Sequence, residues 1–264
     1  INLYATEGVE AFKKLNGMFA LALYDAHQDK LILARDRLGK KPLYWGIFGA
    51  TLIFGSELKA LLEHPVCRRE IDLESLNKYL LYEYVPTPRS IFKSVYKLEP
   101  GHYLSYDGQT VNKQKFWDIT FQLSIKNYEL SIQEAIKQLD VQINAAVKAR
   151  LVSDVPLGVF LSGGIDSSTI AYYAQQNSTR PVKTFSIGFK EESFDESRYA
   201  RLAAKHLGTE HQEKILSARD SLNLIPNIAN LLDEPLADAS ILPTYLLSAF
   251  TKEQVTVALG GDGG

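Results

Sequence analysis

The sequence predicts an α/β protein in which a part built mainly from antiparallel strands precedes a doubly wound parallel α/β part. Three observations lead to this prediction. Short apolar and aromatic runs separated by turn signals fill the first half, a long amphipathic pattern follows near the middle, and strand and helix patterns then alternate to the end. We place the boundary between residues 1–127 and residues 128–264.

Five runs in the first part have the length and apolar content of β-strands. Turn signals such as Tyr106-Asp107-Gly108 separate them, as is typical of antiparallel hairpins. Three further stretches have the spacing of short helices. We predict strands over residues 18–24, 30–34, 42–46, 51–56 and 101–106, and helices over residues 8–14, 57–63 and 73–82.

The second part opens with a helix over residues 131–150, since apolar residues from Ile132 to Val147 recur with a period near 3.6. Strand and helix patterns alternate after it, which predicts parallel strands joined by crossover helices. We predict strands over residues 157–161, 182–189, 210–216 and 255–259, and helices over residues 167–176, 196–207, 217–232 and 242–250.

Composition limits the classes of function. The 264 residues carry a net charge of −2 with scattered Lys and Arg, so no nucleic-acid surface is indicated. No apolar run suits a membrane helix and no signal peptide is recognisable. The single cysteine, Cys67, agrees with a reducing compartment, so we expect a cytoplasmic protein that binds neither nucleic acid nor membranes. Because the chain starts at Ile1 and stops at Gly264 in a glycine-rich turn, we take it as an internal segment that lacks both termini.

A glycine-containing loop, residues 162–168, follows the buried strand run that ends at Leu161 and opens a helix. Gly163 and Gly164 let the backbone approach a phosphate, and the free N–H groups and dipole of the helix start favour negative charge. The spacing is neither that of a Walker A loop, which needs a lysine, nor that of a dinucleotide fingerprint. We predict an ATP-binding loop; the alternative is a tight strand-to-helix turn with an Asp or Ser N-cap.

Polar side chains of the same loop add to this prediction. Ser162, Ser167 and Ser168 supply hydroxyl donors for phosphate oxygens. Asp166 would repel phosphates unless a divalent cation lay between the carboxylate and the phosphates. The sequence therefore predicts Mg²⁺ at Asp166.

A second glycine turn begins with Gly260 and Gly261 directly after the last predicted strand. In a sheet of the usual 3-2-1-4-5 order, the first and fourth strands are neighbours at the point where ligands bind. The two glycine turns would then face each other across one pyrophosphate. Leu161 and Ile187 would contact adenine, although Ile187 could equally be an ordinary core residue of its strand.

The loop at 162–168, preceded by Ser-Asp-Val-Pro-Leu-Gly at 153–158, resembles the PP-loop of ATP pyrophosphatases, and specifically that of the glutamine-dependent asparagine synthetases. Residues 16–25, 34–44 and 56–61 resemble the later half of the family's N-terminal-nucleophile glutaminase domain. Together these motifs cover nearly the whole chain in the family's order. The resemblance implies the C-terminal part of a glutaminase β-sandwich of α+β type, followed by the N-terminal part of an ATP-pyrophosphatase domain.

The resemblance also implies a reaction. A ligase would adenylate L-aspartate with ATP and Mg²⁺, and ammonia from glutamine would convert the β-aspartyl adenylate into L-asparagine, with AMP, diphosphate and L-glutamate as the other products. A homodimer is compatible with it. Asp262 lies where the family often has an acidic residue, which implies a catalytic role in proton removal or metal binding. Cys67 is internal and is not the N-terminal cysteine nucleophile of the family's glutaminase.

Other interpretations stay open. An amidotransferase or amide-forming cyclase of the same superfamily would adenylate a different carboxylate, and a catalytically silent homologue would act as an interaction protein. The acidic segment at 233–240 could line an acceptor pocket or be a solvated loop. It supplies no Arg or Lys for an α-carboxylate, so this segment does not identify the acceptor.

Overall fold

The structure, a computed structural model, describes residues 1–119, 130–190, 197–217 and 222–262. The chain divides into two compact units. Unit 1 comprises Ile1–Gln122 and Asn230–Asp238, and unit 2 comprises Leu123–Ala229 and Ala239–Gly264. The predicted boundary at residue 127 lies outside the described residues.

Unit 1 is built on antiparallel strands, as its turn-separated apolar runs predict. The strands are β1 (Ala20–Asp25), β2 (Lys30–Arg35), β3 (Tyr44–Phe48), β4 (Thr51–Gly55), β5 (Tyr96–Lys97), β6 (His102–Tyr106) and β7 (Val111–Lys115). One sheet has the order β1-β2-β6-β7 and the other the order β4-β3-β5. The sequence did not predict β5 and β7, because β5 has two residues and β7 is mostly exposed and polar.

Short helices accompany these sheets. They are α1 (Asn2–Glu7), a 3₁₀ turn (Gly8–Glu10), α2 (Ala11–Lys14), α3 (Leu58–Leu62) and α4 (Leu73–Tyr82). Cys67 is buried beside Leu58 and Leu61 of α3 in one apolar cluster. Burial raises the pKa of the Cys67 thiol, which disfavours the nucleophilic thiolate. The environment of Cys67 therefore suits a packing residue.

Residues 230–238 come late in the sequence and pack into unit 1. The Asp233 carboxylate accepts a 2.7 Å hydrogen bond from the Leu58 N–H at the start of α3. Helix α3 has no side-chain cap of its own, so Asp233 satisfies one of its free N–H groups. Asp233 thus helps to hold residues 230–238 in unit 1 by capping α3. The local sequence around Asp233 does not predict this contact, because α3 is far away along the chain.

Glu234 makes the second anchoring contact of this segment. Its carboxylate forms an ion pair with Lys97, and both side chains are nearly buried. It also accepts hydrogen bonds from the Ile91 N–H (3.1 Å) and the Tyr44 hydroxyl (3.4 Å). Burial and then the negative charge of Glu234 raise the pKa of Tyr44 well above its ordinary value, so the phenol remains a donor.

Unit 2 contains a parallel sheet formed by β8 (Leu157–Phe160), β9 (Lys183–Phe189), β10 (Glu210–Leu216) and β11 (Val257–Leu259). The strand order is β10-β9-β8-β11, with every neighbouring pair parallel. The first strand of the unit therefore lies between the second and the fourth, as the doubly wound order predicts. The carboxyl ends of β8 and β11 are neighbours.

Helices α5 (Ile132–Arg150), α6 (Ile165–Gln176) and α7 (Ser197–Leu207) belong to unit 2, α8 (Ile225–Leu231) begins in unit 2 and ends with two residues of unit 1, and α9 (Ile241–Lys252) belongs to unit 2. Each overlaps a predicted helix. Helix α8 covers seven residues of the helix predicted over 217–232. Residues 218–221, and the predicted helix start at residue 196, lie outside the described residues. Val147 of α5 packs with Val159 and Leu161 in the core of this unit.

Replacing Glu234 with Ala should destabilise unit 1 by roughly 3 kcal/mol, because the nearly buried Lys97 ammonium loses its carboxylate partner and keeps only the Val85 carbonyl as an acceptor. Glu70→Ala is the matched control: its ion pair with Lys93 is exposed and should contribute less than about 1 kcal/mol. Both tryptophans, Trp45 and Trp117, lie in unit 1, so urea unfolding followed by tryptophan fluorescence reports on this unit. Equal losses in the two variants would contradict this account of the anchor.

Candidate nucleotide-binding site

A cavity of about 400 Å³ lies in unit 2 at the carboxyl ends of β8, β9 and β11, where doubly wound sheets bind ligands. Gly163 and Ser168 do not line it, although both belong to the predicted loop. All the other residues that the sequence nominates for the site do line it: Leu161, Ser162, Gly164, Asp166, Ser167, Ile187, Gly260, Gly261 and Asp262.

The first glycine turn leads into α6 with no side-chain cap. Gly164 is the N-cap residue and no side chain accepts a hydrogen bond from the first turn of the helix. This differs from the alternative of an Asp or Ser N-cap. Free N–H groups at a helix start, together with the dipole, favour an anion. The exposed Asp166 carboxylate in the same first turn is the one group there that opposes an anion.

The structure gives a second reason for glycine at position 163, besides the predicted approach of phosphate. Its φ is +85°, and a Cβ at this position would lie 2.4 Å from the carbonyl carbon of Tyr199 and 2.5 Å from the amide nitrogen of Ala200. Both atoms belong to α7. The absence of a side chain at Gly163 therefore lets α7 pack against the turn.

The second glycine turn approaches the same helix start. A Cβ on Gly261 would lie 2.7 Å from the Ser167 amide nitrogen and 2.9 Å from the carbonyl carbon of Asp166. Only glycine permits backbone contact this close. The two turns therefore meet at one end of the cavity. Gly263 and Gly264, the rest of the second turn, lie outside the described residues.

Serine hydroxyls hold the first turn in shape. Ser162 and Ser167 share a hydrogen bond of 2.9 Å between their hydroxyls, and Ser167 Oγ accepts from the Ser162 N–H at 3.2 Å. Ser162 Oγ accepts from the Gly164 N–H at 3.3 Å. Two of the three hydroxyls predicted to contact phosphate are thus already hydrogen-bonded within the turn.

The charge at this end of the cavity is negative. Asp166 and Asp262 line the cavity, and its lining in the described chain includes no Lys or Arg. Among the described residues, no group of three or more His, Cys, Asp or Glu could hold a metal ion. Two carboxylates can bind Mg²⁺ when phosphate oxygens and waters supply its remaining ligands. The two carboxylates therefore suit an Mg²⁺ ion that is also bound by phosphate oxygens better than an Mg²⁺ ion bound by the protein alone.

The other end of the cavity is mostly apolar. Sequence analysis named Leu161 and Ile187 there but missed Phe185 and Phe189 of β9 and most of the neighbouring side chains. Helix α9 packs on β9 and contributes three of the missed lining residues. The lining residues that sequence analysis did not predict are Phe160, Phe185, Ser186, Phe189, Ser197, Ala200, Pro243, Thr244 and Leu247. No local motif marks such residues, since packing between distant segments brings them together.

His211 of β10 lies behind the apolar end, between two hydroxyls of β9. Thr184 Oγ1 is 3.0 Å from Nδ1 and Ser186 Oγ is 3.2 Å from Nε2. Burial lowers the pKa of His211; the charge of Glu213 opposes this shift and that of Arg201 adds to it. The imidazole is therefore neutral near pH 7. No motif or spacing in the sequence marks His211 as functional.

The acidic segment at 233–240 fits neither expectation at its first two residues. Asp233 and Glu234 are hydrogen-bonded within unit 1, and neither is a solvated loop carboxylate. No residue of the segment lines the cavity of unit 2.

Replacing Gly163 with Ala should destabilise unit 2 by several kcal/mol, because the substitution adds a clash with α7 to the cost of a positive φ. Gly208→Ala is the matched control in the same unit: its φ is +70° and nothing lies within 4 Å of its Cβ, so only about 1–2 kcal/mol should be lost. Urea unfolding followed by far-ultraviolet circular dichroism measures both. A loss at Gly163 no larger than at Gly208 would refute the packing account.

The thermal stability of unit 2 should fall as the pH drops below about 6.5, the ordinary pKa of histidine. The depressed pKa of His211 means that the unfolded chain binds the proton more readily, so the free energy of unfolding rises with pH. Replacing His211 with Gln should flatten this part of the profile between pH 7.5 and pH 5. His206→Gln, on the exposed part of α7, is the control. An unchanged profile in the His211 variant would contradict the assignment.

Comparison with known proteins bears on both units. The family model "Glutamine amidotransferase domain" matches residues 1–117, and the model "Asparagine synthase" matches residues 138–264. No described helix is long and apolar enough to cross a membrane.

Three relatives illustrate the similarity. A Methanocaldococcus jannaschii protein, provisionally named glutamine-hydrolyzing asparagine synthetase 2, is 36% identical over 100% of this chain and 51% of its own length. The glutamine-hydrolyzing asparagine synthetase 1 of Bacillus subtilis is 36% identical over 96% of this chain and 39% of its own. The amidase chyE of Penicillium rubens is 32% identical over 80% of this chain and 33% of its own.

The chain thus spans about half, or less, of the length of these relatives. Its two matched domains follow one another along the chain, and two of these relatives match nearly all of it at 36% identity. The chain belongs to the family of glutamine-hydrolysing asparagine synthetases.

Proposed function

We propose that the cavity of unit 2 binds ATP with its β- and γ-phosphates at the two glycine turns. The single observation that supports this most is the contact of the second turn, at Gly261, with the uncapped start of α6. Two sets of backbone N–H groups would then surround one pyrophosphate. The apolar end, with Leu161 and Ile187, suits the adenine ring.

Mg²⁺ is part of the proposal because of the charge at the phosphate end. Asp166 would hold the ion, and Asp262 lines the same cavity. When bound, Mg²⁺ neutralises phosphate charge and stabilises the departing pyrophosphate. The cavity lining in the described chain has no Lys or Arg to do this, so the divalent ion accounts for the presence of acidic groups beside phosphates.

The proposed reaction is ATP-dependent amide formation by a ligase. A carboxylate oxygen of the acceptor attacks the α-phosphorus, the bond to the bridging oxygen breaks, and pyrophosphate leaves. Holding the β- and γ-phosphates at the glycine turns favours this bond cleavage because it stabilises the leaving group. Ammonia then attacks the acyl adenylate, releasing AMP and yielding the amide. Residues Leu161, Ser162, Gly163, Gly164, Ser167, Ser168, Ile187, Gly260 and Gly261 would bind the nucleotide.

Asp262 is the proposed catalytic residue. Its carboxylate lines the cavity next to Gly260 and Gly261, where the acyl phosphate bond would form. A carboxylate there can accept a proton from the attacking nitrogen nucleophile as the amide forms. Ligation of the metal is the second role that its position supports.

Aspartate is the proposed acceptor, and glutamine the proposed source of ammonia, because the chain belongs to the asparagine synthetase family. A different carboxylate is the second candidate. The observation that favours it is the absence of Lys and Arg from the described lining, since an α-carboxylate usually pairs with one of them. We also propose that the protein acts in the cytoplasm.

Asp166→Ala should reduce the Mg²⁺-dependent affinity for ATP by at least tenfold, because the metal loses its charged ligand. Asp154→Ala removes an exposed carboxylate of the same unit that does not line the cavity, and should leave affinity unchanged. Isothermal titration with ATP, at saturating and at zero Mg²⁺, measures the effect. Equal affinities in the two variants would refute the metal assignment.

The acceptor is identified by product analysis in the full-length protein. With ammonia as nitrogen source, aspartate and ATP should yield asparagine, AMP and pyrophosphate in equal amounts. Release of orthophosphate instead of pyrophosphate would refute the reaction class. If pyrophosphate is released only when another carboxylic acid is supplied, the proposed reaction class stands and that acid, not aspartate, is the acceptor.

A further inference from the structure

Helix α9 is held firmly by the core of unit 2 at one end only. Near its last turn, Phe250 packs edge-on against Phe185 of β9, with ring centroids 5.9 Å apart, and Thr251 is buried. Residues 241–247, all of them described, include no buried residue. Three residues of this half line the cavity: Pro243, Thr244 and Leu247. Packing within unit 2 therefore leaves the cavity-lining end of α9 weakly fixed.

The chain directly before α9 is held in unit 1. Residues 230–238 belong to that unit, and α9 begins at Ile241. Besides the bonds already described for this segment, the Ala237 N–H donates to the carbonyl oxygen of Glu83 at 2.9 Å. Three residues, 238–240, separate this bond from α9. A link this short gives the start of α9 little freedom while Ala237 stays bonded.

The ion pair between Glu234 and Lys97 is the costliest of these contacts to lose. Both side chains are nearly buried, and the Lys97 ammonium also donates to the Val85 carbonyl oxygen at 2.6 Å. Without this pair the segment would leave its docked position more often, and the start of α9 would sample more conformations. A ligand that contacts the lining residues of α9 would then have to order them, and it would bind more weakly.

We infer that Glu234 and Lys97 are positioning residues for the nucleotide site, because they dock residues 233–237 and so fix the end of α9 that lines the cavity of unit 2. The inference rests on the proposed function. Neither side chain lines the cavity. Linkage is reciprocal, so a nucleotide that orders the start of α9 also favours the docked segment.

The first test is ATP affinity in variants of the full-length protein, measured by isothermal titration with Mg²⁺. Glu234→Ala should weaken binding by about fivefold or more, the lower range of ordinary coupling between sites. Ile32→Ala is the matched control: Ile32 is 3% exposed in a core cluster of unit 1 that contains no residue of the segment, so this change destabilises unit 1 without touching the anchor. It should keep the affinity within about twofold.

Glu234→Gln keeps an acceptor for the Ile91 N–H and should recover part of the affinity lost in Glu234→Ala. Circular dichroism sets a temperature at which every variant is folded. Equal losses in Glu234→Ala and Ile32→Ala would show that destabilisation of unit 1 explains the effect, and would overturn the inference.

Two amides of unit 1 report the docking directly. The Leu58 N–H donates to Asp233, and the Ile91 N–H donates to Glu234. ATP with Mg²⁺ should slow hydrogen exchange at both amides by about fivefold or more, while amides of β6 keep their rates. Unchanged rates at both amides with ATP bound would overturn the inference and leave ATP binding in place.

A measurement without ligand separates the inference from the proposed function. Amides of residues 244–247 should exchange faster in Glu234→Ala than in the unaltered protein or in Ile32→Ala, because the start of α9 is released. Equal rates would overturn the inference without any nucleotide. If these rates differ as expected but the unaltered protein binds no ATP, the positioning of α9 stands and the proposed function fails.

Discussion

The contact between Gly261 and the start of α6 is the constraint on which the site depends. It brings backbone from β11 to within van der Waals distance of Asp166 and Ser167, and it requires β8 and β11 to be neighbours. The parallel sheet satisfies this requirement because its first strand lies between the second and the fourth. The first glycine turn alone resembles an ordinary strand-to-helix connection; the two turns together line one cavity at the uncapped start of α6.

Charge sets a second constraint. A cavity lined by Asp166 and Asp262, and by no Lys or Arg within the described chain, can bind a triphosphate only when other positive charge comes with the ligand. In the proposed complex, backbone dipoles would supply part of this charge and Mg²⁺ the rest. Such an arrangement would concentrate transition-state stabilisation on a departing pyrophosphate, which is the outcome that the proposed adenylation needs.

Sequence reasoning predicted the fold and the two glycine turns that line the cavity because both have local signals. Alternating strands and helices fixed the parallel sheet, and two glycine turns marked the strand ends. Side chains brought in by packing had no such signal: helix α9 covers the apolar end, and Glu234 docks beside Lys97 in unit 1. The packing reason for glycine at position 163 was not predicted, since the conformation of Gly163 and its contact with α7 become visible only in three dimensions.

The central claim is that both glycine turns bind the same pyrophosphate, and amide hydrogen exchange of the chain with and without ATP and Mg²⁺ tests it most directly. Peptides that cover residues 162–168 and 259–262 should both exchange more slowly when nucleotide is present, while peptides from β6 and β7 of unit 1 stay unchanged. Pyrophosphate with Mg²⁺ should protect the same two segments. Protection of the first segment without the second would contradict the account.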